Sequence, residues 1–336
     1  MQTYQTFLGI DVSRNHLDCT LLKDGVIVSQ KQIKNNLASI ESYLAKLETQ
    51  IDISFLLVCL EPTGVYINFL LTALLDKKMN VWVENALQIK QSMGFTREKN
   101  DKEDAYRIAL YAFRFQDRCK LYTPVSQSIK TLKTLQLVRK NLIKCKKQLE
   151  TFWKESQKFE TEQQNEYLTE HLQKPVEQIK EQIIAVEKSM KNVIRNDEKL
   201  KELYRLTTSV VGVGDVTAIK LLVVTQGFTK FKSAKQLACY AGVVPFEKSS
   251  GNHKGKPRVS KIADKSLKTL LHMCALAAIK VKGGELSEFY ERKIKEGKNK
   301  MSVLNALRNK ILQRVVACVQ NNKIYERQGV GFQNAA

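Results

Sequence analysis

Short apolar runs alternate with helical spacing in the first third of the chain. The run Thr6 to Val12 is followed by Leu17 to Leu22 and Gly25 to Val28, with a Lys-Asp-Gly turn between the last two. This pattern predicts a strand followed by a hairpin. The next predicted elements are a helix over Leu37 to Leu47, a strand over Ile53 to Leu60, a helix opening near Thr63-Gly64, a strand over Asn80 to Val83 and a helix from Asp101 to Phe115. Because fully apolar strands alternate with helices, we expect an α/β domain whose sheet is covered on both faces.

The middle of the chain has heptad-like spacing. Apolar residues recur three and four positions apart over Leu135 to Phe152 and again over Val176 to Val193, and a polar linker containing Pro175 lies between the two stretches. This predicts a helical coiled-coil hairpin, or an arm whose apolar seam is covered by a helix of a partner chain. The many lysines of the arm either contact phosphates or form a solvated face.

Two glycines mark the start of the last region. Gly212 and Gly214 form a G-x-G turn between two predicted helices, where backbone N–H groups could point at a phosphate. The arrangement resembles a helix-hairpin-helix motif that reads the DNA backbone, although an ordinary turn is the alternative. We expect three domains, covering residues 1–124, 125–200 and 201–336, of which the third is mainly helical.

Charge separates the first predicted domain from the rest. The 336 residues carry a formal net charge of +21, of which residues 1–124 contribute +1 and the remaining residues +20. A near-neutral domain joined to a strongly basic remainder suggests chemistry in the first part and polyanion binding in the second.

Cysteine spacing and apolar run lengths indicate the compartment. The seven cysteines are scattered, without a C-x-x-C pair or a zinc pattern, which is typical of a reducing cytoplasm. The longest apolar runs, such as Phe55 to Leu60, are far shorter than the roughly 18 residues that a membrane span needs. We therefore expect a cytoplasmic protein with no membrane partner.

Four carboxylates occupy informative positions in the predicted elements. Asp11 lies at the end of one apolar strand and Glu61 directly follows another, while Asp101 and Asp104 share a helix face. Clustered carboxylates repel one another, and a bound Mg²⁺ would relieve that repulsion and support phosphoryl transfer on a nucleic acid.

Each carboxylate also has a purely structural interpretation. Asp11 could begin a turn, Glu61 could pair with a lysine, and the two helix carboxylates could cap and solvate the first turn. Asp18 and Glu103 are competing carboxylates nearby.

A basic segment follows the glycine turn. Between residues 248 and 268 there are seven Lys or Arg and one acid, Asp264. Ser249 and Ser250 stand beside Gly251, and such a serine could act as a nucleophile, although loop serines are usually only polar. The candidate nucleic-acid-binding residues are Gly212, Gly214, Lys248, Lys254, Lys256, Arg258, Lys261 and Lys268.

The order of these motifs resembles a known family over nearly the whole chain. The motifs are Gly-Ile-Asp-Val-Ser around Asp11, Glu-Pro-Thr-Gly from Glu61, Asn-Asp-Lys-Glu-Asp-Ala with Asp101 and Asp104, and Tyr-Ala-Gly…Pro…Ser-Gly ending after Ser250. They are similar to those of the insertion-sequence 110 family of DEDD transposases, also called bridge recombinases, to which Piv-type invertases are related.

The resemblance implies a fold, a site and partners. It implies an N-terminal ribonuclease H-like (RuvC-like) domain that binds Mg²⁺ through Asp11, Glu61, Asp101 and Asp104. It also implies that Ser250 attacks DNA and forms a covalent intermediate, and that donor and target DNA are paired by a noncoding bridge RNA. A homo-oligomer, a dimer or tetramer, would bring the metal site and the serine together from two chains, in a bacterial, nucleoid-associated setting.

The chain departs from the family pattern at two places, and two alternative functions remain. Ser249 replaces the usual Gln or Glu before Ser-Gly, and the segment from Lys261 to Lys268 lacks the usual Asn and Arg, although Lys268 keeps the positive charge. The rivals are a hydrolytic RuvC-like nuclease or junction resolvase, and a nucleic-acid-binding protein without catalysis.

Overall fold

The computed structural model describes residues 3–92, 101–250, 253–259 and 263–326, with the backbone alone at 101–102, 247–250 and 253–258. The chain forms two compact units, Met1–Pro124 and Val125–Ala336. The division into three domains stays a prediction.

A five-stranded mixed sheet forms the centre of the first unit. Its strands are β1 (Thr6–Val12), β2 (His16–Lys23), β3 (Val26–Lys34), β4 (Leu56–Leu60) and β5 (Asn80–Val83). The order across the sheet is β3-β2-β1-β4-β5; the first three strands are antiparallel, and β4 and β5 run parallel to β1. This order and these directions are those of a ribonuclease H-like sheet, so the predicted α/β class is confirmed.

Helices cover both faces of this sheet, as expected. They are α1 (Leu37–Gln50), α2 (Asn68–Asp76), α3 (Ala86–Ser92) and α4 (Asp101–Arg114). The buried side chains of α1 and α2 join one apolar core with β1 and β4, and those of α4 join a second core on the opposite face. β1 and β4 are therefore buried on both sides, which is why they read as nearly continuous apolar runs, whereas β3 at the sheet edge is mostly exposed and polar.

Gly9 lets α4 approach β1 closely. A Cβ atom at Gly9 would lie 2.3 Å from both the carbonyl oxygen of Ala105 and the backbone nitrogen of Ala109. Both alanines are fully buried. The backbone of α4 therefore rests directly on the middle of β1, with no side chain between them.

Two predicted element starts in the first unit are wrong. The strand predicted from Ile53 begins at Leu56, because a 3₁₀ turn capped by Asp52 occupies the three residues before it. The helix predicted near Thr63-Gly64 begins only at Asn68, and Gly64 has a φ of +69°, which is incompatible with a right-handed helix. The short helix α3 was not among the predicted elements.

The second unit is mainly helical, as predicted. Its helices are α5 (Gln127–Ser156), α6 (Glu162–Arg195), α7 (Glu198–Thr208), α8 (Asp215–Val224), α9 (Ala234–Tyr240), α10 (Lys265–Ile279), α11 (Glu285–Lys295) and α12 (Lys300–Gln320), with a hairpin of β6 (Pro245–Ser250) and β7 (His253–Val259). One apolar core joins α8, α9, α10 and α12. Through the described ranges, no helix has the length and apolar character that crossing a membrane requires.

The long helices α5 and α6 form an antiparallel hairpin. Arg139 Nε lies 2.6 Å from Glu187 Oε1, and Lys180 Nζ lies 4.0 Å from Glu150 Oε1. Moving forward along α5 therefore means moving backward along α6, which confirms the predicted helical hairpin.

The position of Pro175 corrects the predicted linker. Pro175 lies inside α6, and the turn between the helices is residues 157–161. A capping box, in which Thr161 and Gln164 satisfy each other's backbone N–H groups, starts the helix well before the proline. The Gln- and Glu-rich segment that resembled a linker is therefore helix, consistent with the high helix propensity of these residues.

The contact at Gly9 makes a testable stability prediction. Gly9→Ala would force a methyl group into the backbone of α4, so we expect a loss of about 3 kcal/mol of unfolding free energy. Chemical denaturation of the purified protein measures it.

Gly64→Ala is the matched control within the same unit. No atom lies within 4 Å of its added Cβ, so only the positive φ opposes the change, at a cost of about 1 kcal/mol. Equal losses in the two variants would show that the close approach of α4 does not constrain Gly9.

Candidate active site

Three carboxylates converge on the face of the sheet that α4 covers. Gly9 faces α4, and Asp11, two residues further along β1, therefore points to the same face. Glu61 directly follows β4, which is parallel to β1 and adjacent to it, so both residues lie at carboxyl ends of neighbouring strands. Asp104 is on α4 immediately before the alanines that contact β1. Three of the four predicted metal ligands thus lie near the same edge of the sheet, close enough for the charges of Asp11 and Asp104 to act on Glu61.

The pKa of Glu61 reflects the nearness of the other two carboxylates. Burial raises the pKa of Glu61 above its ordinary value, and the negative charges of Asp11 and Asp104 raise it further. The ionised side chain is therefore held at a cost in folding free energy, which a nearby positive charge would reduce.

The competing carboxylates have other partners. Arg107 lies with its Nη1 3.1 Å from Asp104 Oδ1 and its Nε 3.5 Å from Glu103 Oε1, so it neutralises part of the acidic face of α4. Asp18 is only 4% exposed and accepts a hydrogen bond from Gln32 Nε2 at 3.0 Å, which links β2 to β3. Asp18 therefore has a structural role in the sheet.

Asp101 is the first residue of α4, one turn before Asp104, and its side chain lies outside the described residues. Within the side chains that the structure does describe, no three His, Cys, Asp or Glu are grouped closely enough to hold a metal ion. The complete four-carboxylate set therefore stays a prediction.

A further carboxylate at this sheet edge was missed by the sequence reasoning. Glu84 directly follows β5, and its Oε2 accepts a hydrogen bond from the Tyr111 hydroxyl of α4 at 3.4 Å. Burial raises the pKa of Tyr111 to about 12, with the negative charge of Glu84 as the second cause. The signal was the same as for Glu61, an acid directly after an apolar strand.

The G-x-G turn joins α7 to α8, and packing accounts for its first glycine. Gly212 has a φ of +89°, and a Cβ there would lie 2.4 Å from the carbonyl oxygen of Cys274 on α10. Gly214 is the N-cap of α8 and has no atom within 4 Å of an added Cβ. The two flanking helices are present as predicted, whereas contact with a phosphate stays a prediction.

The first turn of α8 already carries a negative charge. Asp215 lies 2.5 Å from Lys191 Nζ and accepts a hydrogen bond from the Tyr204 hydroxyl at 2.6 Å. These contacts lower the pKa of Asp215, the lysine contributing most. The carboxylate ties α6, α7 and α8 together and would oppose a phosphate placed directly over this helix end.

The predicted serine lies on the β6–β7 hairpin. Ser250 is the last residue of β6, and its backbone pairs with His253 in antiparallel register. Lys268 lies on α10 and is half-buried. Several predicted residues have side chains outside the described part of the chain, namely Lys248, Ser249, Ser250, Lys254, Lys256, Arg258 and Lys261.

Both family models that match this chain describe transposases. A DEDD transposase model of the IS110 type matches residues 8–152, and a model described as the transposase IS116/IS110/IS902 family matches residues 204–291. A pilin gene-inverting protein of Moraxella lacunata is 25% identical, over 96% of this chain and 98% of its own. A transposase for insertion sequence element IS1328 of Yersinia enterocolitica is 26% identical over 43% of this chain and 39% of its own length.

A solved structure is also similar to part of the chain. The RuvC protein of T. thermophilus, in complex with a Holliday junction substrate, is 12% identical with a TM-score of 0.29, over 35% of this chain and 100% of that one. The two family models together match more than half of the chain, in the order in which its two units occur. The chain therefore belongs to the IS116/IS110/IS902 family of transposases and is a DNA recombinase/transposase enzyme.

Proposed function

We propose that this enzyme breaks and rejoins the DNA of a mobile insertion sequence through a covalent bond between Ser250 and a DNA phosphate. Asp11, Glu61, Asp101 and Asp104 act with a divalent cation, Mg²⁺, in the same reaction. The observation that carries the proposal is the convergence of Asp11, Glu61 and Asp104, which is registered in the raised pKa of Glu61.

The chemistry of these residues fits a divalent cation. Membership of a DEDD transposase family implies such a cation, and carboxylate oxygens are the hard ligands that Mg²⁺ prefers. The mutual repulsion of the three carboxylates is what a cation would relieve. When bound, the cation would stabilise negative charge on the phosphate that is attacked. Asp11, Glu61, Asp101 and Asp104 would hold it.

The proposed serine step conserves the phosphodiester bond energy. The Ser250 hydroxyl oxygen attacks a DNA phosphorus atom and loses its proton to solvent, while the bond from phosphorus to one deoxyribose oxygen breaks. The released deoxyribose oxygen takes up a proton. A deoxyribose hydroxyl of another strand then attacks the same phosphorus and releases Ser250, so that rejoining needs no nucleotide cofactor.

The charge distribution supports several polyanionic partners. Residues 125–336 carry a net charge of +20 and contain the helical arm, the G-x-G turn and the β6–β7 hairpin with Ser250, here called the serine hairpin. We propose donor and target DNA as substrates, a bridge RNA that pairs with them, and a homo-oligomer, a dimer or tetramer, that completes the active site. The RNA rests on the family resemblance, and the oligomer rests on the location of the carboxylates and Ser250 in different units of the chain. The name of the Moraxella relative supports exchange of DNA strands.

Replacing Glu61 tests the cation site without an activity assay. An acid whose pKa is raised on folding destabilises the protein increasingly as pH rises above its ordinary value, because the folded state then resists ionisation. Glu61→Gln should therefore raise the Tm at neutral pH in the absence of divalent cations. It should also abolish stabilisation by Mg²⁺, which for the wild type is about 2.7 kcal/mol at about 100 times Kd. Thermal unfolding with and without Mg²⁺ measures both effects.

Glu103→Gln is the control, because this carboxylate lies on α4 next to Asp104 and pairs with Arg107. It should keep the Mg²⁺-dependent rise in Tm. A Glu61→Gln protein that Mg²⁺ stabilises as much as the wild type would contradict the proposed cation site.

Replacing the serine tests the covalent step. Wild type, Ser250→Ala and Ser249→Ala are incubated with element-end DNA, Mg²⁺ and candidate RNA, and SDS-resistant protein–DNA adducts are measured on gels. We expect adducts to fall to background in Ser250→Ala and to persist in Ser249→Ala. Strand cleavage without any adduct, undiminished in Ser250→Ala, would favour a hydrolytic nuclease instead.

A further inference from the structure

Arg308 is a cation that is buried without an acidic partner among the described residues. It lies on α12 and is only 6% exposed, and in the part of the chain described by the structure no carboxylate pairs with it. Burial alone lowers the pKa of its guanidinium. Burying an unpaired charge costs several kcal/mol, so a site that keeps one there needs an explanation.

The hydrogen bonds of Arg308 leave donors unused. Its Nη2 lies 2.6 Å from His272 Nδ1 on α10, its Nη1 donates to Asn305 Oδ1 at 3.5 Å, and its buried Nε has no partner. Because a guanidinium can only donate, His272 Nδ1 accepts, and the proton of the neutral ring is therefore on Nε2. Within the described residues, Arg308 Nε is therefore a buried donor without an acceptor.

Lys268 adds a second positive charge beside Arg308 and the neutral His272. It lies one helical turn before His272 on α10 and, like His272, is half-buried. Burial lowers the pKa of both residues, and the positive charge of Arg308 lowers them further. Asp264, the acid nearest in sequence, caps α10 and binds Lys220 at 2.9 Å. We call Lys268, His272 and Arg308 the α10–α12 cation cluster.

The cluster lies near the entrance of the serine hairpin. Asn305, the residue one turn before Arg308, donates from Nδ2 to the carbonyl oxygen of Val243 at 2.8 Å. Val243 is two residues before the start of β6, the strand that ends at Ser250. One side chain therefore connects the cluster to the segment that leads into the proposed nucleophile.

We infer that the α10–α12 cation cluster binds a backbone phosphate of the DNA strand that enters the serine hairpin. The positive charges of Lys268 and Arg308, with no carboxylate paired to Arg308 among the described residues, suit an anion, which the half-buried Lys268 and His272 can reach. The inference rests on the proposed function, because it takes DNA as the substrate, and it adds His272 and Arg308 to the predicted contact at Lys268.

The first test compares two lysines of the same helix. Binding of a fluorescent four-way DNA junction to the full-length protein is measured by anisotropy over a range of salt concentrations. Lys268→Gln should weaken binding about tenfold and reduce the slope of log affinity against log salt by about one. Lys265→Gln removes the same charge from an exposed position three residues earlier and should change neither value appreciably.

The second test separates binding from stability. Arg308→Met replaces a buried, unpaired charge with an apolar side chain of similar length, so we expect an unchanged or higher Tm together with weaker junction binding. A purely structural arginine predicts the opposite, a lower Tm.

Each contrary result has a distinct meaning. A lower Tm for Arg308→Met, or equal affinities and salt slopes for Lys268→Gln and Lys265→Gln, would overturn the inference while leaving the proposed function intact. Variants that lose affinity for an RNA hairpin but not for the DNA junction would overturn the assignment to DNA. A wild-type protein that does not bind the junction would overturn the proposed function together with this inference.

Discussion

The contact between Gly9 and the backbone of α4 determines the geometry of the first unit. Since a side chain at this position would lie 2.3 Å from two backbone atoms, only glycine allows α4 to rest on β1. The same face of β1 carries Asp11, and the helix carries Asp104 just before the contact. Close packing of two backbones therefore brings carboxylates near one another that electrostatics would keep apart, and burial together with these neighbouring charges raises the pKa of Glu61.

The two units contain opposite electrostatic imbalances. In the first, carboxylates are crowded with only partial neutralisation by Arg107; in the second, Arg308 is buried without a carboxylate in the described residues. Each arrangement lowers the stability of the free protein. Each would also complement one component of the proposed reaction on DNA, a cation in the first case and a phosphate in the second. A lower free energy of unfolding caused by such charges is typical of binding and catalytic centres.

The sequence predicted regular elements well and their irregular starts poorly. β1 and β5 have the predicted bounds because apolar runs and turn residues agree there. The predicted strand over 53–60 included a capped 3₁₀ turn, since apolar residues in such a turn look like strand residues. The supposed linker around Pro175 is helical because the capping box at Thr161 starts α6 and packing against α5 maintains it through the proline. Side-chain caps and tertiary contacts, which periodicity does not register, decided these cases.

The candidate site shows the same limit in its chemistry. Asp11 and Glu61 were identifiable because a carboxylate that ends an apolar strand interrupts a strong pattern, and Glu84 obeys that rule too. Arg308 gives no such signal, since an arginine among apolar residues on a helix is usually at the surface with its charge in water. Only the three-dimensional structure shows that its charge is inside and lacks an acidic partner among the described residues. A buried cation of this kind is recognised by counting its hydrogen-bond partners, and that count indicates an anionic ligand.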